Sequence, residues 1–273
     1  MNNFRYLFDR SKCVVIGMIH LRALPGSPRN SLTVKEICEI ACSEAEIYAK
    51  APLDGLLIEN MHDLPWQQPE QMGPETVASM AVVASQIRSL YPHIPVGIQV
   101  LSAGNLQAMA VAKAAGLDFI RAEGFVFSHI GDEGPTHSCA ASLLRYRSNI
   151  KATNILIFTD IKKKHCSHAI TNDVSISETA RAAELFSSDG LIVTGVSTGE
   201  ETNQSDLQGV MESVQLPVLV GSGVHQDNVH KYISANGLIV GSSFKQDGKW
   251  HSDLSQAKVK CFMDKLQELR HVP

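Results

Sequence analysis

No uninterrupted apolar run in the 273-residue sequence approaches the ~18 residues of a membrane-spanning helix. The opening stretch MNNFRYLFDRSK carries no signal-type apolar segment, and Asp9 within it speaks against a transit peptide. None of the six cysteines stands in a C-x-x-C pair, so the thiols read as reduced, with the cytosol as the default compartment. A basic excess is missing as well. Twenty-eight acidic against 24 basic residues give a net charge of −4, which excludes the broad positive field used to bind nucleic acid or anionic membranes. Any anion must therefore be held locally. There is no low-complexity tract and no linker-like shift of composition, and 44% hydrophobic with 19% charged residues excludes disorder. The expectation is a soluble single domain over residues 1–273, with its core from about 13 to 269, no transmembrane segment and no nucleic-acid partner.

What is present is an alternation. Short β-branched runs are followed by longer amphipathic stretches along the whole chain, the pattern of βα units around a parallel sheet. Strands are expected at Val14–His20, Gly55–Asn60, Val96–Leu101, Phe119–Gly124, Asn154–Ile161, Gly190–Gly195, Pro217–Gly221 and Leu238–Gly241. Thr33 followed by Glu36 forms a capping-box signal for a helix to about Lys50, and Pro74 suits the first turn of the next. Eight strand signals, each with a helix signal, favour an α/β fold of the closed (β/α)8 TIM-barrel type over an open doubly wound sheet. Two connections are too long for ordinary turns and read as functional loops or lids: FVFSHIGDEGPTHS after strand four and KKKHCSHAITND after strand five.

In such a barrel chemistry sits at the C-terminal strand ends, which here are polar. They supply His20, Glu59, Asn60, Gln99, Arg121, Glu123 and Asp160, and strand alternation puts Arg121 with Glu123, and Asp160 with Lys162, on common faces. The lysines Lys162 and Lys164 read as solvated electrostatic partners for an anionic substrate rather than as covalent catalysts. His165, Cys166 and His168 match no closed zinc spacing, and no metal site is assigned. The cofactor stays unknown, with Mg²⁺ held through waters as the one ion the carboxylates would suit. The segments VLVGSGV and GLIVGSSF place Gly221, Ser222, Gly223, Gly241 and Ser242 after strands seven and eight, where barrels frequently hold phosphate on backbone amides. A bulkier residue at Gly223 is expected to block that approach while sparing the fold. Cys38 and Cys42, four apart on a helix, read as packing.

The motifs VIGMIHLRALPGSP, GLLIENMHDLPW, PVGIQVL, FIRAEGF, TDIKKKH, LIVTGVSTG and PVLVGSGV, in this order between about Lys12 and Phe262, resemble those of the BtpA family of TIM-barrel proteins. The resemblance implies one barrel domain and marks His20, Pro25, Gly26, Glu59, Asn60, Asp63, Arg121, Asp160, Lys164 and His165 as positions matching the family's motifs. It also implies two function classes: an association with photosystem I biogenesis, and enzymes of sugar metabolism. The sequence departs from the family pattern at Gln99 and Asn236, where Asn and Asp are usual, and at Glu123.

Two readings follow. In the first the protein is an enzyme acting on a small phosphorylated, sugar- or nucleoside-like ligand, as an isomerase, lyase or hydrolase, with His20, Glu59, Arg121, Asp160, Lys164 and His165 as its catalytic set. In the second it is a non-catalytic phosphometabolite-binding or assembly factor, alone or as a homo-oligomer. Charged groups at several strand ends favour the enzyme, because a binding module has no need of them.

Overall fold

The computed structural model describes residues 3–9, 13–195 and 197–270; residues 10–12 and Val196, which fall within the expected single domain, lie outside them, as do both chain ends. Strands β1 (Val14–His20), β2 (Gly55–Glu59), β3 (Val96–Gln99), β4 (Phe119–Ala122), β5 (Leu156–Asp160), β6 (Gly190–Val193), β7 (Val218–Val220) and β8 (Gly237–Val240) pair in parallel in chain order. β8 then returns to β1, in register from Val14 opposite Gly237 to Gly17 opposite Val240, and closes the barrel. Helices α1 (Asn3–Phe8), α2 (Val34–Lys50), α3 (Pro74–Leu90), α4 (Asn105–Ala115), α5 (Ala140–Asn149), α6 (Ile176–Leu185), α7 (Gln204–Ser213) and α8 (Gln256–Arg270) complete it. The expected (β/α)8 fold is the observed one.

Local chemistry explains the helix starts. Thr33 accepts from the Glu36 amide while the Glu36 carboxylate accepts from Thr33, a full capping box, and Ser175 with Glu178 repeats it at α6. Several strands stop earlier than the apolar runs suggest: β3 ends at Gln99, β4 at Ala122 and β6 at Val193. After β3 and β4 the chain stays buried beyond the ladder, at Val100, Leu101 and Phe125, whereas Thr194 and Gly195 after β6 are half-buried. Between β7 and β8 the expected helix is only a 3-10 turn, Val229–Tyr232, and a second one, Ser242–Phe244, follows β8.

Two cores flank the sheet. The larger lies between the strands and the helices; the smaller fills the barrel itself with Val14, Ile16 and Met18 of β1, Leu57, Phe119, Leu156, Phe158, Ile192, Leu219 and Ile239. These inward positions repeat every second residue, as a strand requires. The amino-terminal end of the barrel is plugged by α1, whose Phe4 and Phe8 pack with Phe158 and Phe119 at ring separations of 5.8 and 5.9 Å. No sequence signal had suggested that helix, which is six residues long.

A repeated device ties the strands in pairs at that same end. The residue just before each even-numbered strand accepts a hydrogen bond from a backbone amide at or near the start of the preceding strand. Asp54 takes Val15 N at 2.8 Å, Asp118 takes Val96 N at 2.8 Å, Asp189 takes Ile157 N at 2.9 Å and Asn236 takes Val218 N at 2.9 Å. The three aspartates are each also met by an arginine, Arg270, Arg88 and Arg147 respectively. Asn236, the departure from the family pattern, keeps the acceptor and drops the charge. This predicts an order of stabilities. Asp189→Ala should lose about 1–3 kcal/mol, the usual cost of stranding a buried donor, whereas Asp189→Asn, which keeps an acceptor, should lose less, both read from urea unfolding midpoints at constant slope.

Candidate functional site

At the opposite end the inward alternation continues but changes chemistry. One step beyond Met18, Leu57, Phe119, Phe158, Leu219 and Ile239 stand His20, Glu59, Arg121, Asp160, Gly221 and Gly241. All of these but Asp160 line a cavity of about 330 Å³ at the carboxy-terminal mouth. Of the expected site residues, His20, Glu59, Arg121, Lys164, His165, Gly221, Ser222, Gly223, Gly241 and Ser242 all line this one cavity. Asp160 does not.

Asp160 is instead consumed by Arg121. The guanidinium meets the carboxylate through Nε at 3.2 and 3.1 Å and through Nη2 at 3.0 Å, with both side chains almost wholly buried. Burial pushes the Asp160 carboxyl up while Arg121 pulls it back; burial alone would lower Arg121, but Asp160 and Glu59 hold it up. The Arg121 Nη1 has no hydrogen-bond partner among the described residues, in a side chain that lines the cavity. Gly221 makes room first for Ile192, whose Cγ2 would lie 2.5 Å from a Cβ there, and then for Arg121, whose Nη2 would lie at 3.2 Å. Gly241 likewise leaves space for the His20 ring, at 3.2 Å. These two glycines thus serve the protein's own side chains, a reason the sequence did not suggest.

Glu59 and His20 form a second unit. Glu59 Oε2 lies 3.5 Å from His20 Nε2, and the other ring nitrogen, Nδ1, is 3.2 Å from the Trp250 carbonyl oxygen. A carbonyl can only accept, so Nδ1 carries the hydrogen and Nε2 of the neutral ring presents a lone pair to the carboxyl. Burial, then Lys245, lowers His20 well below the usual imidazole range, and burial raises Glu59 against the pull of Arg121 and Lys164. Both shifts favour a neutral ring beside a carboxyl that holds its proton unusually well.

Glu123 is built the opposite way. It accepts from Gln99 Nε2 at 3.1 Å and from the Ala103 amide at 2.9 Å, and pairs with Lys163 Nζ at 3.3 Å. Burial pushes it up, but Lys163 and the amide outweigh that and hold it below the ordinary value, so it is a fixed anion.

The three lysines after β5 meet three fates. β5 ends at Asp160, and Lys162 adopts a positive φ of 44°. Asp160 and Lys162 both border a small second pocket beside the main cavity, where the Lys162 ammonium donates to the Thr171 carbonyl. Lys163, which sequence reasoning passed over, goes inward to Glu123, and Lys164 enters the cavity. Lys164 Nζ makes neither a hydrogen bond nor a contact ion pair among the described residues. Burial and then Arg121 pull its pKa down to about 8. His165 lines the cavity too, but its Nε2 accepts from the Thr198 amide at 3.1 Å and so holds the loop after β6.

On the far wall the amides of Ser222, Gly223, Val224, Ser242 and Ser243 form no hydrogen bond among the described residues. Ser222 Oγ is used by the fold, accepting from Gly195 N at 2.6 Å, and Ser243 Oγ donates to the Val224 carbonyl at 2.7 Å. Of these three serines, Ser242 alone has a hydroxyl with no partner among the described residues. Gly223 has a φ of +72°, and a Cβ there would fall 2.0 Å from the Glu200 carbonyl oxygen. A bulkier residue at Gly223 would therefore break the turn itself, contrary to the expectation that it would spare the fold. Among the described residues no group of three or more His, Cys, Asp or Glu side chains is arranged to hold a metal ion.

The loops that read as lids join each other. His129–Gly131 pairs antiparallel with Gly134–Thr136 on one side and Cys166–Ser167 on the other, a small sheet joining the connections after β4 and β5.

Solved barrels share this architecture. Tryptophan synthase subunit alpha from Legionella pneumophila superposes with a TM-score of 0.61 at 14% identity, covering 98% of this chain and 99% of that one. Thiamine phosphate pyrophosphorylase from Pyrococcus furiosus gives 0.58 at 13%, covering 95% and 98%. At such identities the likeness is one of fold, the TIM barrel. Within that class the BtpA family model matches residues 11–268, and the chain belongs to the BtpA family. It is 47% identical to an uncharacterised mitochondrial protein of Caenorhabditis elegans over 97% of this chain and 96% of that one. It is 32% identical to the photosystem I biogenesis protein BtpA of Synechocystis over 93% and 88%. None of the six cysteines is in a disulfide, and the worm relative's name is mitochondrial, so the expectation of the cytosol does not follow from the comparisons. No described helix is long and apolar enough to cross a membrane.

The Lys164 environment makes a pH-dependent prediction. Below about 8 the lysine is charged in folded and unfolded chains alike, and the folded chain bears the full cost of burying it; above the ordinary lysine value of 10.5 both forms are neutral and the cost is gone. Lys164→Met should therefore be more stable than the wild type at pH 7, and the difference should shrink as pH rises from about 8 to 10.5. Urea unfolding at three pH values measures it; a methionine variant less stable at pH 7 would mean that the ammonium is a net support.

Proposed function

We propose that the protein is an enzyme acting on a small phosphorylated, sugar- or nucleoside-like molecule by acid/base chemistry. The observation that carries this reading is the facing of two walls across one cavity. Five unpaired backbone amides at the ends of β7 and β8 suit a phosphate, to which they offer donors without a competing charge. Opposite them, Glu59 and His20 hold a proton between a raised carboxyl and a lowered imidazole, the arrangement that lets a carboxyl serve as acid and then as base near neutral pH.

In this reading the phosphate anchors the ligand and Arg121 Nη1 meets the oxygen on which negative charge develops. Glu59 delivers or removes the proton, and His20, held by the Trp250 carbonyl, sets its direction. Asp160 is a positioning residue that fixes the guanidinium, not a proton carrier, and Glu123 does the same for Lys163. Isomerisation, carbon–carbon cleavage and glycosyl hydrolysis all use these parts. Solved barrels of similar fold bear names that involve phosphorylated compounds, among them phosphoribosyl anthranilate isomerase from Thermus thermophilus, with a TM-score of 0.57 at 12% identity over 94% and 100% of the two chains. The name of the Synechocystis relative favours the second reading, a biogenesis factor. Against that stands the cost of keeping a half-buried Lys164 and a buried Glu59 without firm partners, which an assembly surface does not require.

Inorganic phosphate at millimolar concentration should raise the melting temperature of the wild type, by linkage to the native state, with a stabilisation of about 2.7 kcal/mol at a hundredfold excess over the dissociation constant. Ser242→Asp puts a carboxylate where the anion would sit and should abolish the rise while leaving the ligand-free melting temperature nearly unchanged. An equal rise in both proteins would move the anion elsewhere. No rise with phosphate or with any of a panel of phosphosugars would leave the free amides as turn architecture.

A further inference from the structure

We propose that Lys164 is a covalent site, whose amine condenses with the carbonyl carbon of a phosphorylated aldehyde or ketone to form a Schiff base. The inference deepens the reading above, since it rests on the phosphate being held at the β7 and β8 amides, and it narrows the substrate to a carbonyl phosphate.

The argument starts from a contrast among the lysines that lie near the cavity. Lys163 is tied to Glu123, Lys162 donates to the Thr171 carbonyl, Lys245 is locked to Glu44 at 2.6 Å, and Lys258 donates to the Lys245 carbonyl. Lys164 alone among them has no such tether. Its backbone is nevertheless fixed, because its amide donates to Thr194 Oγ1 at 3.1 Å, so the side chain is presented from a pinned position rather than from a free loop. It lines the same cavity as the unpaired amides and as Glu59. The expectation that three adjacent lysines would be solvated fails with the turn at Lys162, and the objection to covalent chemistry fails with it. Burial beside Arg121 also leaves the amine unusually ready to lose its proton, with a pKa of about 8, which is what a nucleophilic lysine needs.

The chemistry balances with groups already present. The neutral amine adds to the carbonyl carbon, forming the C–N bond as the carbonyl electron pair moves to oxygen. Glu59 relays a proton from nitrogen to that oxygen, giving the carbinolamine. It then protonates the hydroxyl, which leaves as water while the nitrogen lone pair completes the C=N bond. One carbonyl oxygen departs as water and one proton is taken up, so the iminium carries the same single positive charge as the ammonium it replaces. The surrounding carboxylates Glu59, Asp160 and Glu123, which favour the charged lysine, favour the iminium equally.

Glycolaldehyde phosphate with borohydride, added to the intact protein, tests this directly. Mass spectrometry of the digested product should locate the reduced adduct at Lys164, at up to one per chain and ahead of every other lysine. Glycolaldehyde without its phosphate should label that residue at least tenfold more slowly, and inorganic phosphate should compete. Lys164→Arg should remove the adduct, with circular dichroism checking that the variant folds; the wild-type map decides the matter even if it does not. Labelling at Lys163, Lys258 or surface lysines with none at Lys164 overturns the proposal. If phosphate raises the melting temperature but Lys164 stays unlabelled, the phosphate reading stands and the covalent one falls. If Lys164 reacts as fast without the phosphate group and free phosphate does not compete, the lysine is reactive but the anchoring on which this proposal depends is wrong.

Discussion

The bidentate pair of Arg121 and Asp160, buried between β4 and β5, is the contact on which the mouth of the barrel depends. Neither partner could stand there alone, because removing one member of a buried ion pair typically costs about 3–5 kcal/mol. Its influence spreads outward. Gly221 lacks a side chain where the guanidinium passes, and the same cation favours the ionised form of Glu59 while disfavouring that of Lys164. Because two of its nitrogens are committed to Asp160, the guanidinium cannot rotate to quench Glu59, and the remaining nitrogen is aimed by default.

Charges at the mouth thus fall into two groups. Arg121 with Asp160, Lys163 with Glu123 and Lys245 with Glu44 are matched and hold the architecture. Lys164 and the Glu59 to His20 unit have no such ion-pair partner at contact distance, and burial displaces their protonation toward neutrality, as it also does for the paired Asp160 and Glu44. A folded protein gives up stability to keep such groups unquenched.

Most of this was legible in the sequence where a simple period governs it. Alternation with period two carries from Val14 through His20 and from Leu57 to Glu59, so the cavity-facing residues could be named from strand ends alone. The rule does not reach past the strand end: a positive φ at Lys162 breaks the regular ladder, and the separate fates of Lys163 and Lys164 depend on the loop that follows. The small sheet linking the loops after β4 and β5 was invisible because its strands are two or three residues long and the pairing joins Ile130 to Ser167. A signal was present and unread in the Asp or Asn before every second strand, at positions 54, 118, 189 and 236, since a repeat of single residues about 60 apart is easily missed. Asp160 was placed correctly at a strand end, but its role depends on the distance to Arg121, which no pattern along the chain encodes.

The small sheet has a mechanical meaning. It joins the loops after β4 and β5 into one unit, which carries Glu133, Lys163 and Lys164. Across the mouth, the turns after β7 and β8 lie next to the segment after β6, which leans on His165 through Thr198. Because His165 stands beside Lys164 in the chain, that contact ties the two sides of the mouth together, and the spacing of the groups around the cavity is set by folding.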